Sequence, residues 1–422
     1  MIRKQIAPGL NLTVIDGNYK KSRLSAALIA PLRRETVTET ALLPYLLERG
    51  TVRYPDVTAL KRHLNLLYGT VINTSYDSFG YARVIECVLQ GVDGALVPGG
   101  DALTAERAGL LMDVLLRPAL ADGVFRADWL DIEREKLRDN INSIINDKAA
   151  YCFKLLSEEF FKGDLRALPR DGFAEDLDAI DGARLAAAYR ETVRSASAEI
   201  LYVGPAPEEA ERQILGLVGE HTWSDRAIPA APPVPKTAAV TELVTEMEIE
   251  QDKLSFAYAT GEALSRRRRQ ALRVGAAMFG GTATSRLFQN VREKQSLCYS
   301  ISASPSNEAN GMYVDCGIEG KNAARTTEAI ATELAAFAKD GPTETELAQV
   351  KLLYRNMLGG LRDNASSIAK YEFSSILRYG ELVEPQDDLA ELESITADEV
   401  IEVMRKLSLN CSSRLCGKAV AQ

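Results

Sequence analysis

Histidine is the scarcest chemically versatile residue in this sequence: 422 residues carry two, His63 and His221. A helical zinc site of the His-x-x-Glu-His or His-Glu-x-x-His kind needs two imidazoles one turn apart, and these two lie far apart in the sequence, which excludes it. Both histidines are expected to be structural or surface residues. Cysteine offers no substitute. Cys87, Cys152, Cys298, Cys316, Cys411 and Cys416 are scattered and form no Cys-x-x-Cys pair, which predicts neither a zinc ribbon nor a disulfide framework but buried thiols. Basic charge is in deficit as well: 50 Lys and Arg stand against 59 Asp and Glu, for a net charge of -9. A chain that binds nucleic acid normally presents a basic surplus, so no nucleic-acid partner is expected. No apolar run approaches the roughly 18–20 residues that span a bilayer, and the run 42–47 is cut off by Glu48 and Arg49. No membrane partner is expected. The first eight residues carry cations but no apolar stretch or small-residue cleavage site behind them, and a cytoplasmic location is the expectation.

What the chain does have is material for cores. It is 46% hydrophobic and 26% charged, the balance of an ordinary globular protein. Its length exceeds the roughly 250–300 residues that one core serves, so two domains are expected. Proline clusters in Ala227-Ile228-Pro229-Ala230-Ala231-Pro232-Pro233-Val234-Pro235, which favours an extended linker. The predicted organisation is a domain over 1–228, a linker over 229–237 and a second domain over 238–422.

The first half reads as strands over 10–15 and 24–30, a helix over 38–49 that Pro44 should kink, and a second helix capped by Asp56. That helix carries Val57, Leu60, Leu64 and Leu67 on one face, with Gly69 after its end. Strands over 70–76 and 81–89 follow around Asp77-Ser78-Phe79-Gly80. Next come a long helical stretch over 126–161, a strand over 199–203 and a helix from Pro207. The second half repeats this order: a strand over 253–260, helices over 265–279 and 285–293, then two strands around a turn. Phe279-Gly280-Gly281-Thr282 lacks phosphate-loop spacing and reads as a flexible turn between helices. Leu67-Tyr68-Gly69 leads to Gly80 and a strand with Cys87, as Leu297-Cys298-Tyr299 leads to Gly311 and a strand with Cys316. The predicted class is therefore α+β, with two similar duplicated halves, each an antiparallel-rich sheet packed by helices.

The text Phe288-Gln289-Asn290-Val291-Arg292-Glu293-Lys294-Gln295-Ser296-Leu297-Cys298-Tyr299 resembles the C-terminal-domain signature of the insulinase and pitrilysin type of zinc peptidase, the mitochondrial processing peptidase branch included. The resemblance covers essentially the whole chain and implies two halves that form a clamp. It also implies that Arg292 and Tyr299 hold a backbone carbonyl of a peptide substrate. The family's inverted zinc motif falls on Tyr45-Leu46-Leu47-Glu48-Arg49-Gly50-Thr51, where the glutamate, Glu48, survives and Tyr45 and Arg49 replace both histidines. On 133–142, Glu135 matches the family's upstream acid and Asn142 stands in the place of its glutamate ligand. A neutral phenol, a permanent cation and a carboxamide do not make a zinc site, so no cofactor is expected in this chain. Arg49 is expected to pair with a carboxylate of the old site, Glu135 first.

Within that family the chain is similar to bacterial paired proteins, some associated with aminopentanol modification of elongation factor P, in which one subunit keeps the zinc motif and the other keeps Arg and Tyr. The implied function is a subunit that is inactive alone, binds an extended peptide or small protein, and completes the site of a zinc-bearing paralogue. The rival reading is a stand-alone peptide-binding or scaffold homodimer; a third is an enzyme whose site is not legible. Taken without the resemblance, Arg292 also suits a helix C-terminus and Tyr299 a strand, and Glu48-Arg49 suits a polar helix end.

Overall fold

The computed structural model describes residues 1–216 and 221–417, with the side chain of Asp101 left aside. The first strands are β1 (Ile2–Ala7), β2 (Leu10–Asp16) and β3 (Lys21–Pro31). Helices α1 (Val37–Leu47) and α2 (Val57–Leu66) lead to the hairpin of β4 (Val71–Phe79) and β5 (Ala82–Val92). Then come α3 (Leu103–Leu116), α4 (Ala127–Ser143), α5 (Lys148–Phe160), α6 (Gly182–Ser195), β6 (Ser197–Gly204) and α7 (Pro207–Leu215). The remainder runs β7 (Thr241–Met247), β8 (Asp252–Ala259), α8 (Arg266–Ala276), β9 (Cys298–Ser306), β10 (Gly311–Ile318), α9 (Ala323–Asp340), α10 (Glu344–Gly359), α11 (Ala365–Tyr379), α12 (Pro385–Ser394), α13 (Ala397–Met404) and β11 (Ser408–Gly417).

Among the described residues the strands form two sheets, ordered β1-β2-β6-β3-β5-β4 and β7-β11-β8-β10-β9. In the first, β2 pairs with β6 in parallel and the remaining neighbours are antiparallel. The second repeats this with β7 and β11 as its parallel pair. Leaving out β1, the strands match one for one, so the α+β class and the two similar halves are features of the fold. Cys87 and Cys316 stand on the matching strands β5 and β10, both buried.

The chain separates into two compact units that interleave along the sequence. One holds Met1–Asn142, Leu168–Ala230 and Gly360–Glu384; the other holds Ser143–Ala167, Ala231–Gly359 and Pro385–Gln422. One change of unit, at 230/231, lies inside the proline-rich segment. The others exchange helices. α5, from the first half of the sequence, lies on β8 and β11, burying Cys152, Leu156 and Phe160. α11, from the second half, lies on the matching strands β6 and β3, with Ala365, Ile368 and Ala369 against Ile15, Leu201 and Val203.

This exchange explains why 126–161 is two helices and not one. Asp147 accepts hydrogen bonds from the backbone N–H groups of Ala149 and Ala150, capping α5, and a single 3₁₀ turn at Ile144–Asn146 separates it from α4. A cap satisfies donors that a continuous helix would have bonded internally, so it marks a new start. Phe279-Gly280-Gly281 differs from a flexible turn as well. It forms a π-helical turn after α8 and sits hard against β9, where a Cβ on Gly280 would come within 2.5 Å of the Ala303 nitrogen. Glycine here serves close approach rather than mobility. Helix α1 runs through Pro44 and is buried on nearly every side, the pattern of a helix inside a core.

Candidate functional site

The C-terminal end of α1 carries Tyr45, Glu48 and Arg49, the residues that the resemblance sets at the metal positions. Glu48 caps the helix, and its carboxylate accepts hydrogen bonds from the backbone N–H of Thr74 and, at 2.8 Å, from the Thr74 hydroxyl on edge strand β4. Burial pushes the Glu48 carboxyl above its ordinary range. The two Thr74 bonds hold it back, and the neighbouring charge of Glu133 raises it further. Arg49 donates to one oxygen of Glu133 through Nε at 3.0 Å and through Nη2. Lys136 approaches the same carboxylate at 3.1 Å. Tyr45 lays its ring edge on Tyr76 with centroids 6.2 Å apart, and the Tyr76 hydroxyl donates to Asp171 at 2.8 Å.

The expected pairing of Arg49 with Glu135 is therefore corrected to Glu133. The physical reason lies in the periodicity of α4, whose buried face is Trp129, Leu130, Glu133 and Leu137. Glu135 points off that stripe, is exposed, and lies 3.6 Å from Arg138. Asn142 is exposed at the end of α4. Tyr45, Glu48 and Arg49 thus come together with Glu133, while Glu135 and Asn142 do not join them. The spacing 129, 130, 133, 137 was legible in the sequence and would have named Glu133.

This set does not fit a zinc ion. Arg49 places a permanent cation on the carboxylate that a dication would need, and Glu48 is committed to Thr74. Among the described residues no group of three or more His, Cys, Asp or Glu is arranged to hold a metal. His63 stacks on Tyr54 with centroids 4.3 Å apart, and burial lowers its pKa. His221 packs edge-on against Trp223 at 4.5 Å.

Arg292 and Tyr299 meet in the other unit. Arg292 belongs to a π-helical segment, Leu287–Lys294, with its guanidinium 4.4 Å from the Phe288 ring centre and 3.7 Å from Glu293. Ser296 reverses the chain at φ +50°, a left-handed conformation uncommon outside glycine, and Tyr299 follows at the start of edge strand β9. Both side chains line an open pocket of about 310 Å³ together with Ser296, Glu319 and Asn322. The Tyr299 hydroxyl donates to Glu319 at 2.8 Å, and this bond raises its pKa, so the phenol stays protonated and able to donate. Tyr299 is 50% exposed, so its side chain faces solvent while its hydroxyl is bonded to Glu319.

A model of the Peptidase M16 inactive domain matches residues 179–354, a span that includes Arg292 and Tyr299. A probable inactive metalloprotease of Bacillus subtilis, YmfF, is 27% identical over 410 residues, covering 94% of this chain and 93% of that protein. An uncharacterized zinc protease of Mycobacterium bovis, Mb2805c, is 27% identical over 74% of this chain and 70% of its own length. Among solved structures, a conserved protein from Enterococcus faecalis superposes with a TM-score of 0.91 at 27% identity, covering 100% of this chain and 99% of its own. A peptidase M16 inactive domain from Pseudomonas fluorescens gives a TM-score of 0.79 at 18% identity, covering 100% and 99%, a likeness of fold. No helix among the described residues is long and apolar enough to cross a membrane. In its duplicated sheets and in the relatives it matches, the chain is similar to inactive metalloprotease homologues of the peptidase M16 type.

Proposed function

We propose that the chain is the metal-free subunit of a two-chain zinc peptidase, in which it binds an extended peptide and lends Arg292 and Tyr299 to the site of a paralogue that keeps His-x-x-Glu-His. The observation that carries this reading is a contrast within one molecule. The residues at the metal positions are tied to one another by Arg49–Glu133 and Glu48–Thr74, whereas Arg292 and Tyr299 line one open pocket. Edge strand β9, which begins beside Tyr299, presents unpaired backbone groups on which an extended peptide can add a strand. A guanidinium and a phenol are donors suited to a carbonyl oxygen that gains charge as water attacks it. The metal-bound water would come from the paralogue.

The test is peptide hydrolysis by the chain alone, by a zinc-bearing paralogue alone, and by the two together, with metal analysis of each. Hydrolysis by the pair only, with zinc in the paralogue, is the expected result. Combining Arg292→Ala with Tyr299→Phe should then lower the pair's rate on the order of 100-fold with association unchanged. Stoichiometric zinc or hydrolysis in this chain alone overturns the proposal. Full activity of the pair that carries the double variant, with association verified, makes the two residues structural and favours the scaffold reading.

A further inference from the structure

A second cavity, of about 420 Å³, opens on the face of the second sheet that α5 partly covers. Its floor comes from three adjacent strands: Lys253 and Ser255 of β8, Asp315 and Gly317 of β10, Ser300 and Ser302 of β9. The ladder registers Ser255, Asp315 and Ser302 in one row and Lys253, Gly317 and Ser300 in the next, so all six share one face. Ala149, Ala150 and Phe153 of α5 supply an apolar wall. This is a different cavity from the one that holds Arg292 and Tyr299.

Two charges of opposite sign face this cavity without meeting. Asp315 accepts one hydrogen bond, from the Ser255 hydroxyl at 2.5 Å, and among the described residues no cation lies within ion-pair distance of it. Burial with one neutral donor pushes its carboxyl above the ordinary range. Lys253 is likewise without an ion-pair partner among the described residues, in a chain that pairs most of its buried charges. Gly317 gives it a place to lie: a Cβ there would stand 3.2 Å from the Lys253 ammonium and 3.0 Å from the Ser300 hydroxyl. The lysine therefore folds along the sheet surface beside Ser300.

We infer that this cavity binds a free zwitterionic α-amino acid, its ammonium on Asp315 with Ser302 beside it and its carboxylate on Lys253 and Ser300. The Lys253 ammonium lies over Gly317, two residues along β10 from Asp315, so the two charges face the cavity side by side, beyond ion-pair distance of each other. A ligand that carries an ammonium and a carboxylate a few bonds apart answers both with charge-assisted contacts. A monovalent anion or cation would leave one buried charge uncompensated, and a lone carboxylate among hydroxyls is a poor metal site. The wall of α5 leaves room for a small or apolar side chain.

The proposal is tested on the full chain by calorimetry and thermal shift with the common L-α-amino acids, each alongside its N-acetyl and carboxamide derivatives. At least one free amino acid should bind and raise the melting temperature, and either cap should weaken it about tenfold or more, the cost of one charge-assisted bond. Lys253→Met, Asp315→Asn and Gly317→Ala, the last placing a methyl in the cradle, should each weaken it as much; Lys253→Met carries the test if Asp315→Asn does not fold. Absence of binding by every amino acid, equal binding of the capped forms, or wild-type affinity in the folded variants overturns the assignment. None of these readouts depends on peptidase activity or on a paralogue, so this inference and the proposed function fail separately.

Discussion

The end of α1 and the pocket beside β9 carry related chemistry and treat it in opposite ways. At the first, Arg49, Lys136 and Glu133 neutralise one another, Glu48 is bonded to Thr74, and Tyr45 packs on Tyr76. At the second, Arg292 has among the described residues a ring face and a carboxylate 3.7 Å away, and Tyr299, half exposed, gives its hydroxyl to Glu319. An unpaired buried charge costs several kcal/mol, and the first region avoids that cost by pairing internally. At an exposed site a ligand and water compete with a bond such as that of Tyr299 to Glu319 on nearly equal terms, so it exchanges readily. The difference leaves the first region closed on itself and the second open to solvent, the contrast on which the proposed function rests.

The comparison breaks most visibly at Glu133. Replacing it with Ala leaves Arg49 partly buried without its carboxylate, and urea unfolding should show a loss of about 3 kcal/mol. Glu135→Ala, on the exposed side of α4, should stay within about 0.5 kcal/mol. Equal losses would mean that the Arg49–Glu133 pair has no structural weight.

Glu372 of α11 sharpens the lesson as a buried acid with no ion-pair partner among the described residues. One of its oxygens accepts from the Val383 N–H at 3.0 Å and the other has no partner. Burial moves its carboxyl from the ordinary 4.5 to about 7. The folded state thus favours the protonated form. Stability is greatest below pH 4.5 in this respect and falls as the pH rises towards and through about 7, by roughly 2–3 kcal/mol in all. Glu372→Gln should abolish that slope and raise the melting temperature at pH 8. A variant whose pH profile matches the parent's would show that Glu372 does not titrate in this window.

A smaller effect is expected at the exchanged helix. Asp147→Ala removes the cap of α5 and should cost about 1 kcal/mol in thermal unfolding. A loss below a few tenths would mean that packing on β8 and β11 alone sets where α5 begins. The smallest effect belongs to the open pocket. Arg292→Ala combined with Tyr299→Phe should change the stability of the isolated chain by no more than about 0.5 kcal/mol. A much larger loss would place these residues with Glu133, as structural.

Much of the fold was legible because periodicity and capping are local. The Asp56 cap of α2, the β4–β5 and β9–β10 hairpins and the Ser265 cap of α8 all follow from neighbours in sequence. The ends of the long helical stretch were less so. Lys148 to Phe160 reads as a continuation of α4 until Asp147 is recognised as a cap, and nothing local says that α5 belongs on the sheet of the other half. In the candidate site, the expectation against a two-histidine zinc motif came from residue types and from the spacing of two histidines, but the partner of Arg49 was not legible. Matching by motif spacing chose Glu135, whereas the helix turns 100° per residue and brings Glu133 to the buried face.

The sequence by itself determined that no two-histidine zinc motif exists, that two cores are needed, and that Arg292 and Tyr299 lie in a stretch similar to a peptide-holding signature. These depend on composition, spacing and residue chemistry, which need no third dimension. Only the tertiary structure decided that α5 and α11 are exchanged between the compact units, that Glu133 neutralises Arg49, and that Lys253 and Asp315 share one cavity without touching. Each depends on residues far apart in the chain, brought together by strand register and helix rotation, and that information becomes fixed when the sheets close over their cores.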